Sequence, residues 1–153
     1  MMEITVQIQY LRENAKKPFY ATEGAAGMDL SAAIDEPILL KAGERALIPT
    51  GIAIGLPERD CVAYLYARSG LGIKHGICLS NGVGVIDSDY RGEIKVGLIN
   101  LGGEDYTIEP GERIAQMVFA PVLHGILREV DALDETRRGS GGFGSTGRHD
   151  EKA

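Results

Sequence analysis

The chain reads as an all-β protein of the sandwich or barrel type, on three observations. Alternating polarity sets in at once: Ile4, Val6, Ile8 and Tyr10 are interleaved with Thr5, Gln7 and Gln9, the period of a half-buried strand. Short apolar runs then recur down the chain, separated by Gly, Pro and Asp turn signals. No long segment keeps a helical stripe, so strands rather than helices must supply the core.

Taken in order, the first strand is followed by apolar runs at Ile38–Leu40, Ala46–Ile48, Ile52–Ile54, Val62–Ala67, Ile77–Leu79, Gly84–Ile86, Ile94–Ile99, Ile114–Phe119 and Gly125–Val130. Lys41-Ala42-Gly43-Glu44, Leu56-Pro57-Glu58-Arg59-Asp60, Leu101-Gly102-Gly103-Glu104 and Glu109-Pro110-Gly111-Glu112 punctuate them. Ser69–His75 is the best place for a helical turn or two, with Ser69 as its N-cap. After Val130 the patterning stops. Residues 131–153 are polar with almost no apolar anchor, a composition that orders on contact with something else. The expected division is a β domain over residues 1–130 and a flexible Gly-rich C-terminal arm over 131–153.

The bulk numbers narrow the function. A length of 153 residues suits one domain with a real core. A net charge of −6 argues against broad binding of nucleic acid or of an anionic membrane. A polyanionic ligand would therefore need a locally positive site or a bound cation. Cys61 and Cys78 are too few for a disulfide framework and lack metal-pair spacing. Both lie in apolar runs and read as buried, reduced thiols. No signal-peptide core and no run long enough to span a membrane is visible, so the expected setting is cytoplasmic.

Several segments hold residues suited to chemistry. Arg137-Arg138-Gly139-Ser140-Gly141-Gly142-Phe143-Gly144-Ser145-Thr146-Gly147-Arg148 sets five glycines around one aromatic, with hydroxyls and flanking arginines. Successive glycines let backbone N–H groups converge on an anion, and arginine adds a fork of donors suited to phosphate. Arg68-Ser69-Gly70-Leu71-Gly72 follows a strand directly and offers a cation, a hydroxyl and free amides. Gly84-Val85-Ile86-Asp87-Ser88-Asp89-Tyr90 sets two carboxylates two residues apart beside an aromatic. Asp29 stands among small residues, where a ligand or metal can approach closely. Gly111-Glu112-Arg113-Ile114-Ala115-Gln116 puts Arg113 and Gln116 on a turn and strand. Read singly, each has a plain structural explanation: a disordered tail, a capped turn, turn-forming aspartates, solvated polar groups. The tail spaces its glycines like a P-loop, but Ser145 stands in the lysine slot. His75, His124 and His149 make no zinc pattern.

Together, five segments resemble in order the motif series of the homotrimeric dUTP diphosphatases (dUTPases). They are AAGMDLSAA at 25–33, ARSGLG at 67–72, NGVGVIDSDYRGEI at 81–94, GERIAQMVF at 111–119 and RGSGGFGSTG at 138–147. The resemblance implies a jelly-roll subunit, a distorted β-barrel with one short helix, and a homotrimer with active sites shared between subunits. In that family the third motif of a site comes from a neighbouring subunit, and the fifth arrives on the tail of another. It further implies hydrolysis of dUTP to dUMP and pyrophosphate by attack of water on the α-phosphorus. That reaction keeps uracil out of DNA and supplies dUMP for thymidylate synthesis.

By the same resemblance, Asp87 orients and deprotonates the water and contacts the sugar 3′-hydroxyl. Aspartate is a weak base, so positioning and charge stabilisation must supply most of the acceleration. Mg²⁺ would travel on the triphosphate, with Asp29 holding it through water, in keeping with magnesium's reluctance to dehydrate. Ser69, Gly70 and Gln116 match phosphate-contacting positions, with Arg68 supporting them. Arg138, Ser145 and Thr146 would close over the γ-phosphate. Tyr90 would pack under the deoxyribose and exclude a 2′-hydroxyl. Asn81 and the hairpin through Gly84 and Val85 would read uracil, and Phe143 would stack over it. Mispairing with cytosine leaves buried polar groups unpaired, a penalty that reaches ~10⁴-fold or more. Gly82 is smaller than the apolar residue expected after Asn81, which leaves the rigidity of the hairpin open. Two further readings stand beside this one: a dCTP deaminase-like enzyme of the same superfamily, and a noncatalytic nucleotide-responsive regulatory protein.

Overall fold

The computed structural model describes residues 3–57 and 59–142. Among these it places twelve strands and one helix in four antiparallel sheets. The order is β1 (Gln7–Tyr10), β2 (Phe19–Tyr20), β3 (Met28–Ser31), β4 (Ile38–Leu40), β5 (Arg45–Pro49), β6 (Ile52–Gly55), β7 (Cys61–Tyr66), α1 (Ser69–His75), β8 (Ile77–Leu79), β9 (Gly84–Ile86), β10 (Lys95–Asn100), β11 (Tyr106–Ile108) and β12 (Arg113–Pro121). The largest sheet runs β2-β3-β12-β7-β9; the others are β5-β10-β8, β1-β6 and β11-β4. This is the expected all-β jelly roll with one short helix. No helix among the described residues is long and apolar enough to cross a membrane.

Alternation carries most of this architecture. In β10, Val96, Leu98 and Asn100 are buried while Lys95, Gly97 and Ile99 face outward. Leu30, Ile48, Ile52, Ile77, Ile94 and Ile114 are at most 1% exposed and form the centre of one continuous core. Each such side chain contributes about 1.5–3 kcal/mol. Among the buried polar residues is Asn100. Its Nδ2 donates to Leu40 C=O (2.9 Å) and Glu104 C=O (2.8 Å), and its Oδ1 accepts the Gly102 N–H (2.9 Å). One side chain thereby closes the Leu101–Asp105 turn onto β4.

The helix occupies the expected residues, but Ser69 is not its cap. Arg68 holds the N-cap position with extended backbone and no side-chain capping bond, which makes Ser69 the first helical residue. Gly76 ends the helix in the left-handed conformation at φ 71°, its N–H returning to Gly72 C=O at 3.1 Å. Lys74 and His75 lie in the last turn, where positive charge suits the helix dipole.

Several expectations fail in informative ways. β2, β3 and β11 are strands that periodicity does not announce. Asp29, Leu30 and Ser31 of β3 are all buried, so its two faces show no contrast in polarity. The run Gly125–Val130 is apolar but forms no strand: Ile126 and Leu127 are each 97% exposed. A strand needs a ladder partner, and nothing in the described subunit supplies one. The two cysteines are free but only half-buried. Cys78 faces away from the core between buried Ile77 and Leu79, as strand alternation requires. Burial raises the Cys61 thiol, with Asp60 adding to the effect.

Candidate active site

The predicted residues gather in two places. The first is the outer face where β3, β12 and β7 lie side by side. Gln116 of β12 stands opposite Asp29 of β3 and Tyr66 of β7. A register shift between Arg113 and Ala115 breaks the alternation, as a bulge does. Ile114 and Ala115 both turn into the core, so Arg113 and Gln116 reach the same outer face as Asp29.

There Asp29 is almost wholly covered and bound on both oxygens. Arg68 Nε donates to Oδ1 at 2.9 Å and Arg113 Nη1 to Oδ2 at 2.8 Å. Arg68 also donates from Nη1 to Arg113 C=O at 3.2 Å. Two guanidiniums around one carboxylate leave a surplus of positive charge on a protein that is acidic overall. Gln116 Nε2 donates to Ala67 C=O at 2.9 Å, which fixes the amide. Gly27 packs against it, and a Cβ there would stand 2.9 Å from Gln116 Oε1 and push the amide aside. Ser69 and Gly70 lie exposed in the first turn of α1, whose leading N–H groups have no partners within the helix. A side chain at Gly70 would meet nothing within 4 Å. Cation, hydroxyl, amide and free N–H groups thus converge on one open surface, a set suited to phosphate oxygens.

The second place is the end of β9. Asp87 and Tyr90 share a cleft of about 370 Å³ with Leu47, Val85, Glu93 and Lys95. Asp87 is exposed, and its main-chain oxygen accepts the Tyr90 N–H at 3.1 Å. The Tyr90 hydroxyl donates to Glu93 C=O at 3.0 Å. Gly84 lies against Leu65, where a Cβ would come within 2.9 Å of the Leu65 Cβ. Asn81 and Val83 are exposed at the hairpin tip, which Gly82 turns at φ 74°.

The two groups do not meet within the chain. Asp29 and Asp87 are three strands and four residues apart along the ladder β3-β12-β7-β9. At about 4.8 Å per strand and 3.3 Å per residue, that is roughly 20 Å. Arg138 joins neither group: its Nε donates to Gly141 C=O at 2.9 Å in its own turn. Phe143, Ser145 and Thr146 lie outside the described residues.

The sequence singles out Arg113 but not its partner, and it carries no signal for the pairing of Glu93. Arg113 reads as a solvated turn residue until the bulge in β12 brings it to Asp29. Glu93 and its partner Arg12, 81 residues apart, carry no mutual sequence signal. Among the described residues no three His, Cys, Asp or Glu side chains cluster tightly enough to hold a metal ion. A metal at this surface would have to bring most of its own ligands.

The same chain matches known proteins along nearly its whole length. The dUTPase family profile matches residues 13–147. A deoxyuridine 5′-triphosphate nucleotidohydrolase of Desulfitobacterium hafniense is 54% identical over 149 residues, covering 96% of this chain and 99% of that protein. The protein of the same name from Neisseria gonorrhoeae is 52% identical over 150 residues, covering 97% and 100%. Among solved structures, the dUTPase of Staphylococcus bacteriophage 80alpha with dUpNHpp superposes at a TM-score of 0.84 with 30% identity, covering 94% of this chain and 98% of that one. A mutant dUTPase of phage phi11 of S. aureus, described with a structural Mg(II) ion, superposes at 0.76 with 26% identity, covering 86% and 99%. With a profile match over most of its length and relatives more than 50% identical across nearly all of it, the chain belongs to the dUTPase family.

Proposed function

We propose that this protein hydrolyses dUTP to dUMP and pyrophosphate. The observation that carries the reading is the common cleft of Asp87, Tyr90 and Val85, in a chain that shares half its residues with proteins named for this activity. A carboxylate held at the mouth of that cleft can take a proton from water and aim its oxygen at the α-phosphorus. The new P–O bond forms as the bond to the α–β bridging oxygen breaks, and pyrophosphate leaves with that oxygen. Tyr90 offers a flat apolar face to the deoxyribose, closed to a 2′-hydroxyl. Val85 and the Asn81–Gly84 hairpin offer main-chain groups and a side-chain amide to uracil. The name shared by the relatives favours this hydrolysis over deamination or binding alone.

The phosphates belong on the other surface. Ser69, Gly70 and Gln116 would contact them, with Arg68 and Arg113 supplying positive charge and Asp29 holding both guanidiniums in place. Magnesium fits here as an ion carried by the triphosphate, because Mg²⁺ keeps several waters and takes few protein ligands. Asp29 would touch it through water, and the ion would neutralise charge that builds on the phosphate oxygens.

The same geometry supports a homotrimer with shared sites, the assembly that the family resemblance implies. Groups roughly 20 Å apart in one subunit cannot both reach one triphosphate, whereas a neighbour's Asp87 cleft can face this subunit's Arg68 surface. The exposed Leu123, Ile126 and Leu127 support the reading, since three such side chains in water call for a cover. Residues 1–130 would then form the β domain. Residues 131–153 would be an arm that brings Arg138, Phe143, Ser145 and Thr146 to a site it shares. Two free cysteines suit a reducing, cytoplasmic setting.

The test is pyrophosphate release in the presence of Mg²⁺ from dUTP, dCTP, dTTP and UTP, with Asp87→Asn assayed on dUTP. Release from dUTP alone, lost in the variant, is the expected result. A folded wild-type protein that releases no pyrophosphate from dUTP overturns the assignment.

A further inference from the structure

We propose that Glu93 is a positioning residue for Tyr90 and, through it, a determinant of discrimination between deoxyribose and ribose. The inference rests on the reading of Tyr90 as the platform for the sugar. The Asp87–Arg91 turn is held by its own short-range bonds. Tyr90 N–H donates to Asp87 C=O at 3.1 Å, and Arg91 Nη1 donates to the carbonyls of Ser88 (2.8 Å) and Tyr90 (2.9 Å). Bonds of that kind shape a turn but do not fix where it sits against the body.

Glu93 fixes it. Its main-chain oxygen accepts the Tyr90 hydroxyl at 3.0 Å. Its carboxylate, 14% exposed, takes a two-pronged bond from Arg12: Nε at 2.6 Å on one oxygen and Nη2 at 3.3 Å on the other. The same carboxylate accepts the Gly51 N–H at 3.1 Å and lies 3.7 Å from Lys95 Nζ. One residue therefore joins the tip of Tyr90 to the segment after β1 and to the turn between β5 and β6. The neighbouring residue Ile94 is fully buried, and its N–H donates to Ile52 C=O at 2.8 Å. Gly92 lies directly against the Tyr90 phenol, where a Cβ would collide with the ring. The tip of the ring thus meets a residue with no side chain and the main chain of a residue whose side chain is anchored.

Charge supports the assignment. Glu93 lines the Asp87 cleft, and an unpaired carboxylate there would repel a triphosphate. Arg12 holds the Glu93 carboxyl below its ordinary range against the opposing effect of burial, with Gly51 and Lys95 adding to the pull. Arg12 and Lys95 together more than cancel its charge.

The experiment measures kcat/KM for dUTP and for UTP in the full-length protein, with Glu93→Gln, Arg12→Met, the double variant and Tyr90→Ala, each alongside a thermal melt. Arg12 grips Glu93 but is not among the residues that line the cleft, so Arg12→Met tests the same link from behind the carboxylate. We expect each single variant to lower the dUTP/UTP preference roughly tenfold, and the double variant to lower it no further, because both changes break the same ion pair. A lowered melting temperature with an unchanged preference in both Glu93→Gln and Arg12→Met overturns the inference, leaving Glu93 a structural residue. Tyr90→Ala separates the two levels. If it erases the preference while the other variants keep it, the role of Glu93 fails alone. If it leaves the preference intact, the sugar-platform reading fails and this inference with it.

Discussion

Asp29→Asn is the most informative single change at the phosphate-suited surface, because it keeps the size of the side chain and removes only its charge and one acceptor. The Asp29 side chain is 10% exposed, and its two oxygens hold guanidiniums at 2.9 and 2.8 Å. A hydrogen bond to a charged group is worth about 1.5–3 kcal/mol. The Arg68 partner, 26% exposed, should approach that value. The Arg113 partner, 44% exposed, is screened by water and should contribute about 1 kcal/mol at most. Asparagine retains one accepting oxygen, so one guanidinium keeps a weaker bond while the other faces an amide N–H₂. The expected loss is about 2–3 kcal/mol, with Arg113→Met costing clearly less. Urea denaturation at one fixed protein concentration reads it, since any association of chains would add to the apparent stability. A loss below about 0.5 kcal/mol would mean that the carboxylate is hydrated rather than clamped, and the account of the surface would be wrong.

Three further expectations follow from individual side chains. Asn100→Leu strands two carbonyls and one N–H in or near the core, so it should cost about 3 kcal/mol or more; a urea midpoint equal to wild type refutes the bonding of the Leu101–Asp105 turn. The Tyr106 phenol is pushed up to about 12 from 10.0, first by burial and then by its bond to Glu112. Stability supplied by this group is therefore full below pH 10 and is lost as pH rises from 10 toward 12. Tyr106→Phe should flatten that alkaline decline and delete the latest-titrating phenolate absorbance; if an early phenolate disappears instead, the environment assigned to Tyr106 is wrong. Truncation after Arg137 should nearly abolish turnover while the melt and the oligomeric state stay as in the full chain. Among the described residues, 138–142 hydrogen-bond only with one another and with Thr136, so losing those contacts should leave the body intact. Wild-type-like activity of the truncated protein would sink the assignment of the arm as a lid.

Local sequence determined those elements whose signal is local. The bounds of α1 and the short strands at 38–40, 77–79 and 84–86 depend on side chains two to four positions apart; the alternation from Ile4 announces a strand, but β1 is only Gln7–Tyr10 and exposed throughout rather than half-buried. The motif residues were legible for a related reason: Gly84, Asp87 and Tyr90 reach their places within one strand end and the turn after it. Tertiary structure decided what depends on pairing between distant segments. Asp29 reads as an isolated carboxylate among small residues until β12 lies beside β3. The bulge at Arg113–Ala115 then delivers the second guanidinium. Arg12 and Glu93 meet only because β1 pairs with β6 and Gly51 turns the chain between β5 and β6. The run 125–130 shows the converse, read as a strand from its apolar residues yet with no ladder to join among the described residues. Periodicity tells a segment which face to bury; the register of a sheet, fixed by contacts tens of residues apart, decides which charges that face brings together.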